Sequence, residues 1–383
     1  MNNKKHDCGQ SEPSKMLRAR TLGLKLEGIT GQWNSITDVE GVSVGYTTLI
    51  NGSGALDVGS GPVRTGVTAI LPRPIEQLCD PVKAGVFSLN GNGELTGSHY
   101  IEEVGKLSLP ITITNTHSCG LARDAVIQWA AARFQNVYAD GFALPVAAET
   151  YDGFLNDING FHIKSKHVYS AIENAATGQI QEGSVGGGTG MKCFGFKAGS
   201  GTSSRIVPFA GRDYTIGTFV QANFGNREDL MVLGHALGKE LTEPVMVRNS
   251  PDPDLSSIIA IVATDAPLLP HQLKRLARRA TFGIGKTGGF ARHGSGDIFL
   301  AFSTANTVPN FHASERLLHL DMVPDEHLDR FFEAVVQSTE EAVLNSMTAN
   351  SDMAGRDHNF VPAIPHSALL RAGSLGHGDR VPD

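Results

Sequence analysis

The sequence lacks several features that define large classes of proteins. Its 383 residues include only four cysteines, none in a CxxC pair, so neither a disulfide framework nor a cysteine metal site is expected. Lysine and arginine number 32 against 39 aspartates and glutamates, and this formal net charge of −7 argues against a nucleic-acid-binding surface. No apolar run approaches the roughly 18 residues of a membrane span, and residues 1–20 contain no apolar secretory signal. We therefore expect a cytoplasmic protein that binds neither membranes nor nucleic acids.

Two kinds of binding motif are also missing or incomplete. The 14 histidines include no HxxxH or HExxH, so no metal site is expected, and nothing in the sequence pairs a histidine with a nucleophile. The segment GIGKTG, residues 283–288, looks like part of a phosphate-binding loop. However, Ala280 stands where that loop needs glycine, and the segment follows a helix instead of a strand. We interpret it as a glycine-rich turn.

What the chain does contain is a mixture of strand and helix patterns. Short alternating strands separated by glycine turns, as in GVSVGYTTLI and TGVTAILP, are followed by helical spacing at 98–106 and 121–134. Strands and helices mix without strict alternation, which favours a layered α/β sandwich over a barrel. Residues 1–20 are predicted to form a mobile polar arm and 21–383 a single domain, within which 226–254, rich in charge and proline, is the best linker candidate.

The region after this linker candidate is a polar, turn-rich lead followed by a buried-type strand. SSIIAIVAT begins with Ser256 and Ser257, and the next segment, LLPHQLKRLARRA, predicts an amphipathic helix for which Asp265 is a candidate cap. A serine becomes a nucleophile only when a base takes its proton. A serine that is the first residue of a chain can use its own α-amine, which titrates near pH 8. Creating such a terminus requires cleavage of the chain just before the serine. A flexible segment followed by a rigid strand, as found here, has the form expected of such a cleavage site.

The sequence resembles the DmpA family of self-processing L-aminopeptidase/D-esterase/amidases, which includes β-peptidyl aminopeptidases. The resemblance rests on motifs in the same order along residues 20–370. They are GVSVGYTTL, GVTAILPR, LNGNGELTG, TNTHSCGLARDAVIQW, AETYDGFLNDI, GSVGGGTGM, VQANFG, SIIAIVATDAPLLPHQLKRLARRATFGIGKTGG and SGDIFLAFSTAN. It implies an αββα four-layer sandwich, shared with the ornithine-acetyltransferases, and an N-terminal-nucleophile-like (Ntn-like) hydrolase.

The resemblance also implies a cut in the chain. The family nucleophile directly precedes the Ile-Ile of the strand, which selects Ser257 and predicts chains of residues 1–256 and 257–383. Relatives usually carry glycine before the nucleophile, whereas this chain carries Ser256, so cleavage before Ser256 stays open. Ser295 matches the second serine, thought to assist proton transfer. Asp297 matches an acidic position that could hold the protonated amine or only cap the strand.

Three further residues are carried over from the family pattern. Asn223 corresponds to the asparagine that donates to the oxyanion, and Tyr151 to a tyrosine that lines the site and can also donate. Glu149 corresponds to the carboxylate that binds the free amine of the substrate, an ammonium that needs a paired charge in a dry pocket. The glycine segments 90–93 and 186–190 are expected to shape the pocket.

By this resemblance the protein is an aminopeptidase that releases the first aminoacyl group of a small peptide, amide or ester. No cofactor is implied, and the assembly implied is a homotetramer of cleaved pairs. The sequence leaves open L-α-, D- and β-aminoacyl substrates. The alternatives are an acyltransferase of the ornithine-acetyltransferase fold, whose nucleophile is a threonine, and a small-molecule-binding protein that never cleaves.

Overall fold

A computed structural model describes residues 17–250, 255–307 and 317–375.

Two sheets form its centre: four strands in the order β1-β2-β5-β6, and six in the order β4-β3-β12-β11-β10-β9. The strands of the first sheet are β1 Ser43–Asn51, β2 Val63–Leu71, β5 Ile111–Asn115 and β6 Ala147–Thr150. Those of the second are β3 Val82–Gly91, β4 Lys106–Leu107, β9 Ser200–Phe209, β10 Arg212–Asn223, β11 Ser256–Thr264 and β12 Ser295–Ser303. Two short hairpins complete the strands, β7 Lys192–Cys193 with β8 Phe196–Lys197, and β13 Met353–Ala354 with β14 Phe360–Val361.

Helices cover the outer face of each sheet. The helices are α1 Ser98–Val104, α2 Cys119–Arg133, α3 Gln135–Tyr138, α4 Ser165–Glu173, α5 Pro270–Lys286, α6 Asp329–Thr348 and α7 His366–Leu375. Side chains of α2 and α4 share a core with the outer face of the four-stranded sheet. Those of α5 and α6 share another with the six-stranded sheet, and a third core lies between the sheets. The predicted αββα sandwich is therefore what the chain forms.

Strand β11 illustrates how the sequence produces this layering. Its nine residues are almost all buried because both faces of the sheet are covered. Ile259 and Ile261 point into the core between the sheets, whereas Ile258 and Ala260 point toward the helices. By the same alternation Ser257 faces the space between the sheets and Ser256 faces the helices.

Helix α5 corrects two interpretations of the sequence. The helix continues through Lys286, so GIGK at 283–286 is its last turn and not a glycine-rich turn. Gly283 is needed there because a Cβ would lie 2.5 Å from Thr339 Cβ in α6, so its absence lets the two helices pack closely. Asp265 does not cap the helix, whose N-cap is Leu269; its carboxylate accepts a hydrogen bond from Thr215 N–H instead.

Two predicted boundaries also differ. The first sixteen residues of the proposed arm lie outside the described residues, but its end is packed: Arg18 pairs with Glu182 at 2.7 Å and Arg20 pairs with Glu341. The linker candidate, as far as residue 250, is not a bare connection, since it contributes buried apolar side chains to the core on the helix side of the six-stranded sheet. These are Leu230, Val232, Leu237 and Leu241.

No helix in the described part of the chain is long and apolar enough to cross a membrane. The same described ranges contain no cluster of histidine, cysteine and acidic side chains suited to a metal ion.

Candidate active site

Ser257 lies at the buried start of β11, beside a cavity of about 600 Å³. The side chain is only 4% exposed, and its hydroxyl has no hydrogen-bond partner among the described residues. A buried hydroxyl without a partner is energetically unfavourable in a stable fold and indicates a functional position. Among the described residues, therefore, no histidine accepts the proton of the Ser257 hydroxyl.

The main cavity brings together residues from four parts of the chain. It is lined by the start of β11, the end of β6, the first turn of α2 with the turn before it, and the loop that follows β3. The lining residues are Asn92, Gly93, Glu94, Leu95, Thr96, Gly97, Ser98, His99, Thr116, Cys119, Gly120, Glu149, Tyr151, Leu255, Ser256 and Ser257. The predicted residues Glu149, Tyr151 and Ser257 thus share one cavity. Of the two glycine segments, only 90–93 contributes to its wall, and 186–190 does not.

Glu149 is a buried carboxylate at the end of β6, with 4% of its surface exposed. One oxygen accepts a hydrogen bond from Glu94 N–H at 2.9 Å, and the other accepts one from the Thr116 hydroxyl. Burial raises the pKa of Glu149, while these two donors oppose the rise. No cation pairs with Glu149 in the described residues, so the carboxylate can bind an ammonium group brought by a ligand.

Asn223 lies next to Ser257 on the neighbouring strand. The two are directly paired in the antiparallel ladder of β10 and β11, so their side chains share the face between the sheets. The Asn223 carboxamide is fixed at both ends: Oδ1 accepts from Lys192 N–H at 3.1 Å, and Nδ2 donates to the Tyr151 carbonyl at 2.9 Å. The second N–H of Nδ2 can donate to an oxyanion formed at Ser257.

Tyr151 directly follows β6 and closes one wall of the cavity. Gly153 makes this arrangement possible, because a Cβ there would lie 2.4 Å from the Tyr151 ring. The glycine of the motif YDG is therefore needed to make room for the Tyr151 ring.

Ser295 and Asp297 lie on the other face of the six-stranded sheet. In the parallel ladder of β11 and β12, Ser295 is paired with Ser256, and both Ser295 and Asp297 line a small cavity of about 150 Å³ on the helix side. The Ser295 hydroxyl donates to Asp297 Oδ1 at 2.7 Å. The expected contact between Ser295 and the Ser257 hydroxyl is thus absent from the uncut chain, although the two strands are adjacent.

Burial dominates the chemistry of Asp297. It raises the pKa of this carboxyl to about 6, and the Ser295 hydroxyl lowers it in part. Asp297 makes no ion pair with any residue the structure describes. Ser256 lines both the main cavity and the small cavity, so this residue lies between them.

Several residues of the site could not be singled out from the sequence. Thr116 and Cys119 belong to the motif TNTHSCG, but nothing in that motif indicates that Thr116 binds Glu149. Cys119, which also lines the cavity, is buried, and burial raises the pKa of its thiol to about 12. The thiol is therefore inert at neutral pH.

Comparison with known proteins supplies the family. The family model described as peptidase family S58 matches residues 34–361. The chain belongs to peptidase family S58. The resemblance to the DmpA family, which is the same family, is thereby confirmed.

Relatives in the S58 family agree along nearly the whole chain. Beta-peptidyl aminopeptidase BapA from Sphingosinicella microcystinivorans is 47% identical over 363 residues, covering 92% of this chain and 90% of that protein. The solved L-aminopeptidase D-Ala-esterase/amidase from Ochrobactrum anthropi, described as a new variant of the Ntn hydrolase fold, is 48% identical with a TM-score of 0.87. That match covers 94% of this chain and 98% of the other. A beta-aminopeptidase from Burkholderia sp. is 40% identical with a TM-score of 0.84, covering 95% of this chain and 100% of that one. The predicted Ntn-like fold is confirmed.

Proposed function

We propose that the protein is a self-processing aminopeptidase whose nucleophile is Ser257. The observation that carries the proposal is a buried serine hydroxyl at the start of a strand, with no hydrogen-bond partner among the described residues, in a cavity that also holds a buried carboxylate with no described cation beside it. Glu149 is the right group to bind a substrate ammonium, and its neighbours fix its orientation. A cavity of about 600 Å³ suits a small aminoacyl compound.

The first reaction is cleavage of the chain itself. The Ser257 hydroxyl attacks the Ser256 carbonyl, its proton passes to the Ser257 nitrogen as the peptide C–N bond breaks, and an ester forms between the Ser256 acyl group and Ser257 Oγ. Water then hydrolyses the ester, leaving a carboxylate on Ser256 and a free α-amine and hydroxyl on Ser257. Asn223 stabilises the oxyanion of each step.

The second reaction uses the groups that the first one creates. The α-amine of Ser257 takes the proton of its own hydroxyl while Oγ attacks the aminoacyl carbonyl of the substrate, and it returns the proton to the leaving amine or alcohol. Water releases the acyl group from Oγ. Ser295 and Asp297, on the adjoining strand, act at the freed α-amine of Ser257 and not at its hydroxyl: Ser295 assists proton transfer to and from this amine, and Asp297 stabilises its protonated form. Tyr151 shares the donation to the oxyanion.

A substrate panel tests the activity. Chromogenic amides of an L-α-amino acid, a D-amino acid and a β-amino acid, with a D-alanine ester and N-acetylated versions of each, are offered to the cleaved protein and to Ser257→Ala. We expect release from the free-amine compounds only, and none by Ser257→Ala. Two of the relatives are described as a beta-peptidyl aminopeptidase and an L-aminopeptidase D-Ala-esterase/amidase, and the compound that is hydrolysed fastest decides between these two activities. Transfer of an acyl group to added ornithine instead of water would favour the acyltransferase alternative, and no turnover would favour a binding protein.

Assembly and location remain predictions. A homotetramer of cleaved pairs is supported by the exposed apolar side chains of Leu317, Leu318, Leu320 and Met322, which a neighbouring copy would cover. Light scattering on the cleaved protein measures the mass directly. The cytoplasmic location rests on composition alone.

A further inference from the structure

Lys197 is a buried cation that the proposed reaction does not use. It lies in β8 with 0% of its surface exposed. Its Nζ donates to the carbonyl oxygens of Met191 at 2.8 Å and Ala198 at 2.6 Å, and it makes no ion pair within residues 17–250, 255–307 and 317–375. Burying an ammonium without a carboxylate is costly, whereas a methionine would fill similar space without that penalty. The charge therefore calls for an explanation.

A single peptide unit links Lys197 to Asn223. The Met191 carbonyl accepts from Lys197 Nζ, and the N–H at the other end of that peptide, on Lys192, donates to Asn223 Oδ1 at 3.1 Å. The carboxamide of Asn223 continues the series through Nδ2 to the Tyr151 carbonyl at 2.9 Å. The Met191 carbonyl also accepts from Ala198 N–H at 3.2 Å, so it has a partner without the ammonium.

We infer that Lys197 is a positioning residue that polarises the Asn223 carboxamide through the Met191–Lys192 peptide. This inference rests on the proposed function, in which Asn223 donates to the oxyanion. A cation at the carbonyl end of a peptide draws electron density toward that end and makes its N–H a stronger donor. The same effect passes through the carboxamide to Nδ2, since hydrogen bonds in a series strengthen one another by roughly 10–30% each. The Lys192 N–H also fixes which end of the carboxamide is oxygen, so nitrogen faces the site.

The charge state of Lys197 is subject to two opposing influences. Burial lowers the pKa of Lys197 to about 7. The two carbonyl acceptors oppose this shift because they bind the ammonium more strongly than the free amine.

The test separates the charge from the space it fills. Lys197→Gln retains a hydrogen-bond donor and loses the charge, and Lys197→Met loses both. Lys83→Gln is the matched control, because Lys83 is a half-buried lysine in β3 of the six-stranded sheet, paired with Ser303 at the end of β12 away from Ser295. With a chromogenic aminoacyl amide, we expect kcat of both Lys197 variants to fall roughly 3- to 10-fold with KM unchanged, and the control to match the unaltered protein.

A double-mutant cycle shows whether Lys197 acts through Asn223. The rate of self-cleavage of the full chain is measured for Lys197→Gln, Asn223→Ala and the double variant. We expect Lys197→Gln to slow cleavage in the unaltered chain and to have no further effect once Asn223 is alanine.

Three results would overturn the inference: an equal fold-loss in both backgrounds, an unchanged kcat, or failure of both Lys197 variants to fold, which would assign Lys197 a structural role. Failure of the proposed function is a different result, namely no cleavage and no turnover by the unaltered chain.

Discussion

At the scale of single residues, the proposed role of Glu149 is to bind the ammonium group of the substrate. Glu149→Gln keeps the shape of the side chain and removes its charge, so an ammonium loses a charge-assisted hydrogen bond worth roughly 1.5–3 kcal/mol. We expect KM to rise about 10- to 100-fold with a smaller change in kcat. The matched control is Glu102→Gln, an exposed glutamate paired with Lys274 on α5. A KM unchanged by Glu149→Gln would contradict the assigned role.

The pKa of Glu149 gives this role a pH dependence. Because burial raises it, the carboxylate is lost at a higher pH than an ordinary glutamate, and KM should rise as the pH falls through that range. In Glu149→Gln this rise of KM at low pH should disappear. A profile identical in the two proteins would exclude Glu149 as its origin.

Asp297 is a buried acid that pairs with no cation among the described residues, and the proposed cut would supply one as the α-ammonium of Ser257. Its pKa of about 6 in the folded state lies above the ordinary value of 3.8, so its contribution to stability is lost as the pH rises through 6. In the uncut Ser257→Ala chain, we expect Asp297→Asn to stabilise the fold by about 3 kcal/mol at pH 8 and by little at pH 4. Urea denaturation at both pH values measures the free energy of unfolding of the two proteins. Other titrating groups contribute equally to both proteins, so their effect cancels when the two values are subtracted. An equal effect at both pH values would contradict the account.

At the scale of elements, β12 controls the loop that shapes the main cavity. A Cβ on Gly296 would lie 2.3 Å from the Asn92 carbonyl oxygen and 2.9 Å from Gly93 Cα. Gly296→Ala should therefore displace the loop whose Glu94 N–H binds Glu149, and we expect activity to fall at least tenfold, as measured by steady-state kinetics. Gly285→Ala is the matched control, since its Cβ would meet no atom within 4 Å on the exposed side of α5. It should keep full activity and gain up to about 1 kcal/mol of stability. Full activity in Gly296→Ala would show that the loop tolerates displacement.

The elements also show where reasoning from sequence succeeds. The αββα layering and the strand at Ser256–Thr264 follow from apolar pattern and family motifs, and those motifs place Ser257, Glu149 and Tyr151 in one cavity. The end of α5 was mispredicted because a glycine on its own indicates a turn, whereas Gly283 lies within the helix and allows close packing against Thr339 of α6. The face on which Ser295 and Asp297 lie depends on strand register, which no local pattern specifies.

At the scale of the whole molecule, the proposed cut between Ser256 and Ser257 would pass through the middle of the fold. Strands β11 and β12 of the second chain lie between β10 and β3 of the first, and α5 and α6 pack on the same sheet. Separating the chains would open the six-stranded sheet and two cores. We expect chains 1–256 and 257–383 to elute together in native size-exclusion chromatography, as the uncut Ser257→Ala chain does, and to separate only on denaturation. Two native peaks would contradict this arrangement.

Intact mass with N-terminal sequencing of the purified protein tests self-cleavage at Ser257 directly. We expect two chains, with the smaller beginning Ser-Ile-Ile at Ser257, and a single intact chain for Ser257→Ala. A smaller chain beginning Ser-Ser-Ile-Ile would move the nucleophile to Ser256. A chain still uncut after long incubation, or cleavage in Ser257→Ala, would contradict the central claim.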